Sequence, residues 1–258
     1  MSGDPSAGFT VEDAQIRAFC HSVAPHIVAL LPPDGVTVGT GTLIKWKSSH
    51  LILTANHNLD GSKPSAIRFA FCPGGTLREG PMNSREDSGD LYRGLLLPVD
   101  DSVIVDKKND IVAIPLNVKQ LPKAAVFYEI SQKVPVPEDG NMVFLAGFAW
   151  DNSFPLQGQA RAVGLITQSG AYDSALNATK GLYSKYSPAD HFLLRYAVDD
   201  GVKPYGISGT GAWGNANHAG PVWTSRPILV GVQIAWFKKS RLLQIVRLGP
   251  ILALLANI

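Results

Sequence analysis

Apolar residues along this 258-residue chain come in short runs broken by Gly, Pro, Ser and Asp, and sustained helical spacing is rare. That pattern predicts many short strands joined by turns. Residues 26–31 read as a strand, Pro32-Pro33-Asp34-Gly35 as a turn, and residues 36–46 as a hairpin strand in which Gly and Thr alternate with apolar positions. Ser48-Ser49-His50 then turns the chain into Leu51-Ile52-Leu53, a continuous apolar run that fits a buried strand. Further strands are expected at residues 95–98, 111–116, 142–148, 162–167, 192–198 and 228–235. Residues 73–94 read as a long surface loop, and residues 116–140 as a crossing between two halves. Helices are expected only at the ends. Thr10, with Asp13 three residues on, starts one that lines Val11, Ala14, Ala18 and Phe19 along a face up to about His21. Residues 248–258 form the other, with Pro250 in its first turn. Residues 1–9 are small and polar and are expected to be disordered. This order of elements favours antiparallel barrels or sandwiches over a βαβ sheet.

Composition narrows the function classes. Apolar residues make up 45%, enough for a substantial core. A net charge of +2 gives no reason to expect nucleic acid or an anionic membrane as partner. The longest apolar runs, residues 228–236 and 251–258, are too short to span a bilayer. The N-terminus has neither the basic nor the apolar segment of a signal peptide, so an intracellular, cytoplasmic protein is expected. Cys20 and Cys72 are the only cysteines; two partly buried free thiols are the simpler reading, and their pairing stays open. No Cys/His spacing fits zinc and no glycine-rich loop fits phosphate, so neither metal nor cofactor is expected. Lys238, Lys239, Arg241 and Arg247 form a basic cluster, most simply a solvated face.

Three motifs carry candidate chemistry. His57, in Thr54-Ala55-Asn56-His57, follows a buried strand where the chain must leave the sheet. A neutral imidazole there can take a proton from a hydroxyl and return it to a leaving group. Asp110 opens the apolar run Ile111-Val112-Ala113-Ile114, which draws its carboxylate toward the interior and demands a hydrogen-bond partner. A histidine ring N–H would serve, and the carboxylate would fix its tautomer. Asp100, Asp101 and Asp106 lie close by but do not abut the apolar run. Ser208 lies in Gly206-Ile207-Ser208-Gly209-Thr210-Gly211, where glycines let the backbone turn tightly and aim amides outward. The N–H groups of Gly206 and Ser208 would then form an oxyanion hole, in which one donor contributes roughly 3 kcal/mol.

With these residues in this order, the chain resembles the trypsin/chymotrypsin-like serine proteases of the PA clan. Thr54-Ala55-Asn56-His57 resembles the family's Thr-Ala-Ala-His. Asn109-Asp110-Ile111-Val112-Ala113-Ile114 resembles its Asp-Ile-Ala-Leu strand, and Gly206-Ile207-Ser208-Gly209 its Gly-Asp-Ser-Gly. Gly39-Thr40-Gly41-Thr42-Leu43-Ile44 and Leu229-Val230-Gly231-Val232 are similar to the strands before the histidine and after the serine. The resemblance spans roughly residues 23–257 and implies an all-β fold of two six-stranded antiparallel barrels, with short N- and C-terminal helices. It implies an N-terminal extension over residues 1–22, a first barrel over 23–125 carrying His57 and Asp110, and a second over 126–258 carrying Ser208. A His57–Asp110–Ser208 triad in the cleft is implied with it.

The departures matter too. Asn58 stands where extracellular relatives have a disulfide cysteine, which agrees with a reducing compartment. Ile207 stands where they have an aspartate that pairs with a freed N-terminus, and there is no Ile-Val-Gly-Gly start, so activation by that ion pair is not expected. By resemblance Val202 sits at the base of the P1 pocket, with Lys203 beside it, and Ile234, Ala235 and Trp236 form the opposite wall. A small or medium apolar P1 residue is expected; His218 reads as a surface-loop residue. The implied function is a monomeric serine endopeptidase acting on a protein or peptide, with narrow specificity for a dedicated substrate and a regulatory protein as a further partner. The alternative is a catalytically silent member that keeps the barrels as a protein-binding module.

Overall fold

A computed structural model describes residues 15, 18–19, 21–31, 39–59, 61–71, 95–96, 99, 101–117, 119, 123, 125–131, 136–155, 161–178, 186–196, 203–216 and 226–258. The expected loop at 73–94, the turn at 32–35, Cys20, Cys72, Val202 and His218 lie outside them.

The fold is that of a chymotrypsin-like double barrel, two antiparallel sheets in succession along the chain. The first runs, in spatial order, β4 (Arg68–Phe71), β1 (Ile27–Leu31), β2 (Gly39–Trp46), β3 (Ser49–Ala55), β7 (Ile111–Pro115) and β6 (Ile104–Asp106). Two-residue additions join it: β5 (Leu95–Leu96) beside β4, and β8 (Tyr128–Glu129), parallel to β2. The second sheet runs β10 (Arg161–Ala171), β9 (Met142–Pro155), β12 (Gly211–Asn215), β13 (Pro227–Phe237), β14 (Leu242–Arg247) and β11 (His191–Arg195). Its two ends come together, since a Cβ on Gly170 of β10 would lie 3.1 Å from the Arg195 carbonyl of β11. Two helices follow the sheets' lead: α1 (Ser174–Asn177), capped by the Asp173 carboxylate, and α2 (Leu248–Leu255), with Pro250 in its first turn as expected. Of the expected N-terminal helix, residues 21–23 and the described positions Gln15, Ala18 and Phe19 are helical.

The alternation of strand residues sorts the apolar side chains into three cores. One fills the first sheet, with Val28, Leu30, Leu43, Ile52, Val112 and Ile114 fully buried. Another fills the second, around Leu145, Phe192, Leu194, Leu243 and Ile245. The largest lies between the sheets and takes Ile44, Leu53 and Ile111 from the first, Trp213 and Val232 from the second, and Ile251 and Leu255 from α2. Burying one such side chain contributes about 1.5–3 kcal/mol, so the two sheets are held face to face by an apolar seam. Tyr128 adds a polar tie across it: its hydroxyl accepts from the Leu229 amide at 3.3 Å and its ring meets Trp213 edge-on.

Strands β4, β6, β8, β12 and β14 are absent from the sequence pattern above. β12, Gly-Ala-Trp-Gly-Asn, has little strand propensity and forms because β9 and β13 pair on either side. β14 was hidden in the supposed basic face. Arg247 is not solvated there: its Nε donates to the carbonyls of Pro188 and His191, and its guanidinium lies over Tyr172 and Phe192. An arginine's apolar stem and planar head allow that packing.

Candidate active site

The aspartate is presented by a turn that its own neighbours build. Between β6 and β7, the Asp106 carboxylate accepts from the amides of Lys108 (2.9 Å) and Asn109 (3.1 Å) and from Asn109 Nδ2 (2.5 Å). The turn leaves Asp110 in the left-handed region, φ 55°, which aspartate tolerates better than most residues. In that conformation the Asp110 carbonyl accepts from the Asn56 amide at 2.8 Å. Its carboxylate then reaches His57 twice, Oδ1 from the backbone amide at 3.1 Å and Oδ2 from ring Nδ1 at 2.6 Å.

The histidine follows β3 in a single turn of helix, Asn56–Asn58, closed when the buried Leu59 donates its amide to Asn56 and His57 carbonyls. A carboxylate only accepts, so Nδ1 carries the proton and Nε2 of the neutral ring is left as acceptor. His57 is about half exposed, 48%, and Asp110 30%, so the pair sits at the surface.

Ser208 is half-buried in a loop that the first sheet holds. Gly206 and Gly209 on either side have φ of +93° and +94°. Gly209 must be glycine on a second ground: a Cβ there would meet the Thr40 carbonyl at 2.0 Å and Thr54 Oγ1 at 2.2 Å. Three buried threonines of the first sheet do the holding. Thr40 Oγ1 donates to the Gly206 carbonyl (2.8 Å) and accepts from the Phe148 amide (2.9 Å). The Thr40 amide donates to the Ser208 carbonyl at 3.1 Å, and Thr54 Oγ1 to the Thr40 carbonyl at 2.6 Å. Thr42 Oγ1 accepts from the Gly211 amide at 2.7 Å. Sequence reading placed Thr40 and Thr42 on a strand but missed this role; the signal was hydroxyls at alternate, fully buried positions, which need partners.

Ile207 sinks into the core of the second sheet, 1% exposed, beside Gly147. The amides of Gly206 and Ser208 have no acceptor among the described residues. Ser208 Oγ makes no hydrogen bond to His57 among the described residues. The link between the two halves runs through Asn58, whose Nδ2 donates to the Ser208 carbonyl at 2.6 Å and to Thr54 Oγ1 at 3.0 Å.

The expected substrate wall is partly recast. Ile234 points into the core between the sheets, with Ala235 packed beside it, and the strand bulges between Gln233 and Ala235. Trp236 is half-buried and meets Tyr205 edge-on at 5.2 Å. Tyr205, 49% exposed and next to Gly206, was missed by sequence reading. Lys203 is exposed.

Where the second sheet meets the aspartate turn, Lys108 Nζ donates to Asp190 Oδ2 at 2.7 Å. That bond holds the Asp190 carboxyl below the usual carboxylate range. Burial pushes the neighbouring His191 below its ordinary value, with Lys108 and Arg247 adding to the effect. No group of His, Cys, Asp and Glu among the described residues could hold a metal ion.

No protein-family model and no curated protein matches the sequence. Solved structures do match the fold, each 14% identical. A serine endoprotease from Yersinia pestis superposes with a TM-score of 0.56 at 14% identity, covering 96% of this chain and 66% of that one. Rv3671c from M. tuberculosis H37Rv, a serine-to-alanine mutant in its inactive form, gives a TM-score of 0.53 over 100% of this chain and 95% of its own. A scabies mite inactivated protease paralogue, S-D1, gives 0.59 over 90% and 91%. All share the chymotrypsin-like fold.

Proposed function

We propose that this chymotrypsin-like chain is a serine endopeptidase. The observation that carries the reading is the 2.6 Å bond from His57 Nδ1 to Asp110, together with the amides of Gly206 and Ser208, which have no acceptor among the described residues. Ser208 Oγ attacks the scissile carbonyl as its proton passes to His57 Nε2, and the oxyanion forms between the Gly206 and Ser208 amides. His57, oriented by Asp110, gives the proton to the leaving amine; water then hydrolyses the acyl-enzyme by the reverse transfer.

Burial of Ile207 supports a loop that needs no ion pair to hold its shape, and hence a chain active as made. The Tyr205–Trp236 pair beside the loop supports a small or medium apolar P1 residue in a dedicated protein substrate. A monomeric, intracellular enzyme is part of the same proposal. The second reading, a silent binding module, is favoured by the absence, among the described residues, of a Ser208–His57 hydrogen bond.

A fluorophosphonate probe separates them. The protease reading expects labelling of the native chain that vanishes in Ser208→Ala and His57→Ala. A well-folded native chain that stays unlabelled points to the module.

A further inference from the structure

Asn58 occupies a junction that the reaction scheme above does not use. It is the last residue of the turn that carries His57, yet its side chain reaches across to Ser208. Three acceptors surround its terminal nitrogen: the Ser208 carbonyl at 2.6 Å, Thr54 Oγ1 at 3.0 Å and the Thr40 carbonyl at 3.4 Å. Thr54 Oγ1 spends its own proton on the Thr40 carbonyl, so it too can only accept from Asn58. An amide nitrogen fits this surrounding and a carboxylate of the same shape does not.

What this holds is one peptide plane. The carbonyl of the Ser208–Gly209 unit accepts from Asn58 Nδ2 and the Thr40 amide, both on the first sheet. The N–H of the same unit donates to the Gln233 carbonyl at 2.7 Å, on the second sheet. The preceding plane is held as well, since the Ile207 carbonyl accepts from the Thr210 amide at 3.0 Å, so the torsions between the two planes are set, and with them the directions of the Ser208 Cβ and amide.

Resting on the protease reading, we infer that Asn58 is a positioning residue: its carboxamide registers the nucleophile's peptide plane against the His57 turn, in the place of a covalent cross-link. Gly39 provides the room. A Cβ there would lie 2.9 Å from Asn58 Cγ. That is about the 3 Å between a Cβ and the far sulfur of a disulfide, so Gly39 and Asn58 are placed for a cysteine pair.

The test uses the whole chain and three variants: Asn58→Ala, Asn58→Asp and the double Gly39→Cys/Asn58→Cys. Probe labelling rate, kcat and KM on a cleavable peptide, thermal midpoint and amide exchange of residues 203–211 are read for each. Labelling and kcat fall about 10-fold in Asn58→Ala and about 100-fold in Asn58→Asp, with KM little changed. Exchange of the Gly209 amide speeds up in parallel. The oxidised double-cysteine chain recovers to within a few-fold of native and loses the gain on reduction. If Asn58→Asp does not fold, Asn58→Ala and the cysteine pair decide. Native labelling and exchange rates in Asn58→Ala or Asn58→Asp overturn the inference and leave the protease reading standing. A native chain that does not label sinks the protease reading and the catalytic role with it. The exchange arm then decides the tie, which unchanged Gly209 exchange in the variants overturns.

Discussion

The aspartate turn and the serine loop both bond to the turn that carries His57, yet they are built in opposite ways. The turn is made at home: Asp106, Lys108 and Asn109 close it, and Asp110 and His57 both belong to the first sheet. The serine loop is made from abroad. It belongs to the second half of the chain, while Thr40, Thr42 and Asn58 of the first sheet hold its carbonyls and amides. One half of the centre is therefore preorganised by local sequence, and the other exists only while the sheets are docked.

The sharpest way to break this contrast is Gly209→Ala. Its Cβ would strike the Thr40 carbonyl at 2.0 Å across the seam. We expect a loss of more than about 4 kcal/mol, or failure to fold, by urea denaturation. Gly61→Ala is the control: it too has positive φ, 72°, but nothing within 4 Å, and should cost only about 1–2 kcal/mol. Equal losses would mean that backbone strain, and not docking, sets the cost.

Thr40→Val comes next. It keeps the shape but leaves the Gly206 carbonyl and Phe148 amide without their hydroxyl partner, which should cost about 2–3 kcal/mol. Probe labelling should fall further than stability does, while Thr40→Ser should restore both. A Val variant that labels normally would show that the loop keeps its shape unaided.

The smallest effect tests the place where, among the described residues, Lys108 of the aspartate turn meets Asp190 beside the second sheet. Folded His191 is held neutral by burial, with Lys108 and Arg247 close by. Below its unfolded value of 6.5 the unfolded chain takes up a proton that the folded site resists, so stability falls as pH drops from there toward the lowered folded value. The urea midpoint should therefore fall between pH 7.5 and pH 5.5, and fall less in His191→Gln. His26, lowered by burial as well, contributes with the same sign and leaves a residual slope.

How much of this could be read from the chain depended on which kind of construction was involved. The aspartate and histidine were legible because each abuts an apolar strand, and a local rule brings the acid inward. Ser208 was legible from its glycines, since φ of +93° and +94° is where glycine is needed. The hydroxyls of Thr40 and Thr42 and the amide of Asn58 were not, because their partners across the seam lie more than a hundred residues away, and Tyr205 was not, because its partner Trp236 comes from β13. β12 failed to register for the same reason: Gly211 and Gly214 are small to fit beneath neighbours, as the 2.9 Å approach of Trp213 to a Cβ on Gly211 shows. Arg247 looked like a surface charge because its three acceptors come from elsewhere in the fold.

The clamped peptide plane after Ser208 also orders events in time. As the chain leaves the ribosome, the histidine and aspartate come first, and strand β13, which supplies the Gln233 carbonyl, comes after the serine. A chain made only as far as β12 lacks the carbonyl that fixes the plane after Ser208. On the protease reading the nucleophile is aimed only once β13 is in place.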